Sequence, residues 1–153
     1  MATYRYRECG LDNVMIEGMT PCRDDDGDEV CTILNVPGLH KAIASGIVTH
    51  EAGMNGRELR FLRTEMGMTQ AELAKVVHHD TQSIGRWERN ENPIDPTAEA
   101  LIRLLVVQRL ELDVPESTVE ELSGRCVATA APQQIVIDGS DPSHYRAMHL
   151  EAA

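Results

Sequence analysis

Apolar residues in the middle of the chain recur three and four positions apart, in short segments separated by polar residues. This spacing places apolar side chains on one face of a helix, so it predicts four consecutive short amphipathic helices. The intervening polar residues fit helix starts, because Asn, Thr and Asp side chains accept hydrogen bonds from the unpaired N–H groups of a first turn. The predicted starts are Asn55, Thr69, Asp80 and Asp95, and the last helix continues to Leu110.

The two flanks of this region follow other patterns. Residues 1–34 contain short runs of alternating or β-branched residues between turn formers, which predict strands, and Pro37 begins a helical pattern. Further along, a short helix is predicted from Ser117 to Gly124 and a strand at 135–137. We therefore predict a mainly α fold with small β-containing flanks. Its predicted parts are a small N-terminal α+β domain at 1–53, a helical domain at 54–112 and a C-terminal extension at 113–153 with a short helix, a strand and a loose tail from Asp138 on.

Composition narrows the class of protein. With 153 residues, of which 42% are hydrophobic, the chain can bury a core, whereas 3% aromatic residues count against modules that stack bases on rings. The formal net charge of -11 counts against a broad basic surface. However, residues 54–93 hold six basic and six acidic residues, so the acid excess lies in the flanks. The acidic run from Asp24 to Glu29 is interpreted as a solvated loop, since it lacks the ligand order of a calcium loop.

Neither a targeting segment nor a membrane span is recognised in the sequence. The first residues lack the apolar stretch of a secretory signal, and no run of about 18 apolar residues is present. The cysteines at positions 9, 22, 31 and 126 do not form closely spaced pairs. We therefore expect a cytoplasmic protein with reduced thiols and no membrane partner.

The second and third predicted helices have the spacing of a helix-turn-helix. Each has about two turns, the connection between them is short, and the later helix starts with polar side chains. In such a pair the second helix lies in the major groove, where its N-terminal side chains contact base edges. The segments TQAELA at 69–74 and SIGRWE at 83–88, with Pro93 in the next turn, resemble the Xre (Cro/repressor-type) helix-turn-helix family. The resemblance runs from about residue 57 to residue 105 and implies a five-helix domain at 54–112.

This resemblance implies binding of double-stranded DNA and assigns contacts to seven polar residues. By position, Gln70 is a phosphate contact and Arg86 contacts a guanine or a phosphate. Gln82 suits adenine, because its amide can bond both N6 and N7. The implied DNA contacts are Gln70, Thr81, Gln82, Ser83, Arg86, Arg89 and Asn90. Thr81 and Ser83 also fit as ordinary helix-start residues, so that alternative stays open.

Other positions on these helices are predicted to be structural. Ile84 and Trp87 lie on one face of the third helix and are expected to pack against the second. Val76 is expected to face inward with the apolar residues around it. Arg63 is expected on a solvated face, with a phosphate contact as the alternative.

The turn between the two helices departs from the family pattern. The family usually has Gly there, often at positive φ, whereas this chain has His78 and His79. In the left-handed region His is less stable than Gly by about 1 kcal/mol. Adjacent histidines also suggest a metal site, but no Cys or acidic residue stands at ligand spacing, so no metal is expected there.

The N-terminal residues resemble a second group of regulators, the MqsA-type antitoxins. Residues 4–14 and the segment 38–40 carry this resemblance. It implies a small domain that binds a toxin, often with zinc held by two Cys-x-x-Cys pairs, which this chain lacks. The thiols are therefore expected to be small buried apolar groups, and no cofactor is expected. The alternative is an irregular zinc set composed of Cys9, Cys22 and Cys31 with His40 or His50.

A sequence-specific DNA-binding regulator is the predicted function. We expect an antitoxin-like homodimeric repressor that binds an inverted-repeat operator and controls its own operon. The helix after Pro96 and the strand at 135–137 are candidate dimer contacts. The alternative is an acidic protein-binding module that neutralises a basic toxin, with the helix-turn-helix as a scaffold. No enzyme is expected, since the sequence has no Ser-His-Asp set, phosphate-binding loop or dinucleotide fingerprint.

Overall fold

A computed structural model describes most of the chain. The described residues are 2–19, 22–23, 25–27, 29–30, 33–49, 53–112 and 134–148. The chain divides into two compact units, one formed by residues 1–46 with 134–153 and the other by residues 47–133. Outside the described residues lie the helix predicted at 117–124, Cys31, His50 and Cys126.

A four-stranded mixed sheet forms the centre of the first unit. Its strands and those of a separate hairpin are β1 (Ala2–Arg5), β2 (Val14–Met19), β3 (Cys22–Arg23), β4 (Glu29–Val30), β5 (Ile135–Asp138) and β6 (Arg146–Met148). The sheet order is β1-β2-β5-β6, in which β2 and β5 are parallel and the outer pairs are antiparallel, while β3 pairs with β4. Ile16 lies opposite Ile137 in the register, and both are fully buried. The C-terminal strands thus complete the N-terminal sheet, a pairing that the sequence pattern does not predict. The predicted loose tail was wrong for 146–148, because β6 pairs there with β5.

Helix α1 (Val36–Thr49) begins in the same unit. Leu39 and Ile43 on this helix are fully buried. A Cβ added to Gly46 would lie 2.8 Å from Cγ2 of Ile135, so Gly46 allows the helix backbone to approach β5 closely.

Four further helices make up the described part of the second unit after the end of α1. They are α2 (Gly56–Glu65), α3 (Gln70–Val77), α4 (Thr81–Glu88) and α5 (Pro96–Arg109). In each helix the N-cap side chain accepts the N–H of the third helical residue, which satisfies a donor that a helix start leaves unpaired. The caps are Asn55, Thr69, Asp80 and Asp95, which confirms the four predicted starts.

Apolar side chains of these helices form the core of the second unit. Fully buried are Leu59, Leu62, Leu73, Ile84 and Ile102. The orientation predicted for Val76 was wrong: this residue is 37% exposed, because the inward side of α3 is occupied by Leu73, Ala74 and Val77. The structure describes five helices, but residues 54–112, for which five were predicted, hold only four of them, because α1 ends before this range. None of the described helices has the length and apolar character needed to cross a membrane.

Candidate nucleic-acid interface

The connection between α3 and α4 is a tight turn closed by His78. This residue has φ 58° and ψ 41°, the left-handed conformation anticipated for the position. The N–H groups of His78 and His79 both donate to the carbonyl of Ala74. Asp80 then accepts the N–H of Ser83 at 2.7 Å, and this bond lowers the pKa of the Asp80 carboxyl. The chain therefore makes the turn without a glycine.

Replacing His78 with Gly is expected to raise the free energy of unfolding by about 0.5–1 kcal/mol. Gly enters the left-handed region without the steric conflict of a Cβ, although it also gains entropy in the unfolded chain. Urea unfolding followed by circular dichroism measures the change. The matched control is His79→Gly, which is expected to lower stability because His79 has no positive φ and packs on Trp87. A destabilised His78→Gly variant contradicts this account of the turn.

An ion pair behind the turn connects α2, α3 and α4. The Glu88 side chain is 3% exposed, and its carboxylate accepts Nε of Arg63 at 2.7 Å and Nη2 at 2.9 Å. Arg63 Nη1 donates to the carbonyl of Met68, and Gln70 Nε2 donates to Glu88 at 3.3 Å. The hydrogen bond to Glu88 raises the pKa of the Arg63 guanidinium. The prediction of a solvated Arg63 was therefore wrong, because this side chain fixes α2 to α4.

The rear face of α4 is part of the core, as predicted. Ile84 is fully buried and Trp87 is 5% exposed. The ring of His79 lies edge-on to the Trp87 indole, with ring centroids 4.8 Å apart. This packing holds α4 against the turn, so the polar front face of α4 has a fixed direction.

The front face of α4 and the start of α3 enclose an open, polar cleft of about 430 Å³. It is lined by Gln70, Thr81, Gln82, Gly85, Arg86 and Arg89. Five of these six residues are predicted DNA contacts, and all five except the half-buried Gln70 are exposed. Amide and guanidinium groups in one concave surface can donate hydrogen bonds to base edges and to phosphate oxygens together.

The other two predicted contacts, Ser83 and Asn90, lie outside the residues that line the cleft. Ser83 is half-buried, and its N–H is used by the cap of α4. Asn90 has φ 59°, and its side-chain oxygen accepts the N–H of Gly56 at 2.8 Å. Both residues therefore have structural bonds, and Asn90 connects the end of α4 to the start of α2.

Arg89, which lines the cleft, forms a hydrogen-bonded ion pair with Glu91. Its Nε and Nη2 donate to the two carboxylate oxygens of Glu91, at 3.2 and 3.1 Å. The hydrogen bonds of this exposed pair raise the pKa of Arg89 and lower that of Glu91. Because exposed pairs are weak and screened by salt, a phosphate can compete with Glu91 for Arg89.

Two residues of this surface were left unassigned by the sequence pattern. Gly85 lines the cleft, and Glu88 anchors Arg63 and Gln70 behind it. Gly85 could have been found from the sequence, because glycine is unfavourable inside a predicted helix and its presence there indicates a specific role. Glu88 could have been found because it is an acidic residue next to the buried Trp87, and a buried carboxylate requires a partner.

Among the residues that the structure describes, no group of three or more His, Cys, Asp or Glu side chains is arranged to hold a metal ion. The alternative zinc set is only partly covered, because Cys31 and His50 lie outside the described residues. Cys9, which was expected to be buried, is only half-buried. His40 lies with Nε2 2.8 Å from the hydroxyl of Tyr6.

Two short capped helices, α3 and α4, are joined by a tight turn, and the buried Trp87 and the Arg63–Glu88 pair hold α4 in place. This arrangement is a helix-turn-helix. Comparison with protein families gives the same result: residues 59–114 match the family model HTH_3, helix-turn-helix. The chain therefore contains an Xre/Cro-type helix-turn-helix domain, which implies DNA binding and a role in transcriptional regulation. Comparisons with curated proteins and with solved structures found no match.

Proposed function

We propose that the protein is a homodimeric repressor that recognises an inverted repeat near its own gene. The observation that carries this proposal is the polar cleft at the front of α3 and α4, where Gln82 and Arg86 are exposed. A glutamine amide and an arginine fork suit adenine and guanine edges in the major groove. A protein bound to an inverted repeat within a promoter blocks access of the polymerase, and we therefore propose repression.

The requirement for two copies follows from the size and charge of one domain. Helix α4 has eight residues, so one copy contacts only a short stretch of groove. Two of the domain's cations are not available to displace counterions, since Arg63 is paired with Glu88 and Arg103 is fully buried. Two copies related by a two-fold axis would place their α4 helices about 34–36 Å apart, in successive major grooves.

Two exposed apolar positions are candidates for the dimer contact. Leu101 on α5 is 39% exposed, with Leu104 and Leu105 half-buried on the same helix. In the other unit, the predicted contact at 135–137 was wrong, because this strand is β5, which is buried between β2 and β6. The terminal strand β6, whose Met148 is 37% exposed, is the candidate there instead. Either surface gives a symmetric contact when the same residues meet from both copies.

Selection from a random duplex library with the full chain tests the proposal. We expect an enriched inverted repeat, protection of two half-sites in a footprint, and two chains per duplex by light scattering. The same repeat is expected upstream of the gene, where it should reduce expression of a reporter. Enrichment of no sequence, or of a single half-site bound by one chain, would contradict the homodimeric repressor.

Gln82→Ala and Arg86→Ala are each expected to lose about 1–3 kcal/mol of discrimination between the selected repeat and a scrambled duplex. Both side chains are exposed and line the cleft, so the fold should survive their removal. Competition binding with the two duplexes measures the loss. Lys75→Ala, at an exposed position of α3 that does not line the cleft, is the control and should keep the wild-type preference. Unchanged preference in both cleft variants would remove these residues from base recognition.

A second function, binding of a basic protein such as a toxin, is favoured by the charge of the first unit. Residues 1–46 and 134–153 contain 11 acidic and five basic residues. Complementary charge accelerates association with a basic partner and makes it sensitive to salt. Co-expression with the product of the neighbouring gene tests this function: salt-sensitive co-purification supports it, and separate elution contradicts it.

A further inference from the structure

Gly85 occupies a helix position where the fold itself gives no reason for a glycine. It lies inside α4, and its φ is not positive, so an L-residue fits the backbone. Gly is the least favourable residue for a helix interior apart from Pro. A Cβ added here would meet Nη1 of Arg89 at 3.1 Å and Oε1 of Gln70 at 3.7 Å, not the apolar core. The missing side chain therefore makes room for the ends of two predicted DNA contacts.

We propose that Gly85 is a positioning residue for Arg89, which it allows to lie across α4 with Nη1 in the cleft. Arg89 is four residues further along, so its side chain lies on the same helix face. Glu91 holds the guanidinium from its other edge through Nε and Nη2. Glu91 thus orients the group from one edge, while on the other edge the missing side chain of Gly85 leaves space for Nη1 beside Gln70. The ligand that suits this edge is a DNA phosphate oxygen, so the inference rests on the proposed function.

Gly85→Ala separates this role from a role in folding, because the two predict opposite effects. The Ala variant should have a higher Tm by a few degrees, since Ala favours the helix interior. Its Cβ lies closer to Nη1 than most Cβ contacts allow, so Arg89 must move. We expect weaker binding to the selected duplex and a slope of log K against log salt that is smaller by about one unit, the contribution of one phosphate contact.

A double-mutant cycle with Arg89→Ala tests whether Gly85 acts through Arg89. Arg89→Ala alone should reduce the salt slope by the same amount, and Gly85→Ala added to it should change nothing further. Arg109→Ala is the charge control, an exposed arginine at the end of α5 that does not line the cleft, and should bind with near wild-type affinity. The Arg89 Nε–H signal in NMR spectra of the DNA-free chain should shift in Gly85→Ala.

The outcomes distinguish this inference from the proposed function. If wild type selects no duplex, the proposed function fails and this inference fails with it. If wild type binds and Gly85→Ala keeps its affinity and salt slope, only the positioning role is overturned. If Gly85→Ala still weakens binding in the Arg89→Ala background, the Cβ obstructs the DNA directly and the role through Arg89 is overturned. An unchanged Arg89 Nε–H signal overturns it without any DNA.

Discussion

Arg103→Ala is expected to lower the free energy of unfolding of the second unit by about 3–5 kcal/mol. The Arg103 side chain is fully buried, and its Nη2 lies 3.2 Å from Oε2 of Glu99, itself 5% exposed. Nη1 donates to the carbonyl of Val48 at 3.1 Å, and Glu99 Oε1 accepts the N–H of Met54 at 2.8 Å. The pair therefore attaches the segment before α2 to α5. Removal of Arg103 leaves a buried carboxylate and a carbonyl without their cation.

Urea unfolding followed by Trp87 fluorescence measures this loss, because Trp87 is the single Trp of the chain and lies in the second unit. The double variant Arg103→Met with Glu99→Gln removes both charges while keeping side chains of similar size. It should recover part of the loss, since no buried charge is left unpaired. Arg89→Ala is the exposed control and should leave the unfolding midpoint unchanged. A similarly unchanged midpoint for Arg103→Ala would mean that the pair contributes no more than a surface pair.

The parts of the fold that the sequence predicts are those set by neighbours along the chain. Each of the four N-caps of α2–α5 was predicted from its own polar residue and the three positions that follow it. The left-handed conformation of His78 agrees with the family pattern, which usually has Gly in this turn, often at positive φ. Five of the seven predicted contacts line one cleft, since their relative positions depend on two short helices and a three-residue turn.

Features that depend on distant residues were not predictable in this way. The parallel pairing of β2 with β5 joins segments separated by most of the chain, and the sequence of neither strand indicates which strand it pairs with. Arg63 was predicted to lie on a solvated face, although it lies against Glu88, which only the fold brings to it. The burial of Arg103 beside Glu99 was likewise not predicted. Charge alone therefore gives the wrong location for a cation whose counter-ion is brought to it by packing.

Trp87→Ala is expected to lower the free energy of unfolding by about 3–5 kcal/mol and to abolish DNA binding with it. The indole is 5% exposed and is the largest side chain of α4, packed edge-on against the ring of His79. A small side chain there leaves a cavity between α4 and the turn, which rigid neighbours fill only in part. Circular dichroism and methyl NMR signals measure unfolding, since the variant has no indole fluorescence.

Comparison with two further variants separates loss of fold from loss of contact. Trp87→Phe keeps an aromatic ring against His79 and should retain most of the stability and the selected-duplex preference. Gln82→Ala, on the opposite face, should keep the fold and lose the preference. If Trp87→Ala keeps the wild-type midpoint, α4 is held by Ile84 and by the Arg63–Glu88 pair alone. Loss of binding at an unchanged midpoint would instead mean that the indole sets the direction of the cleft without determining whether the unit folds.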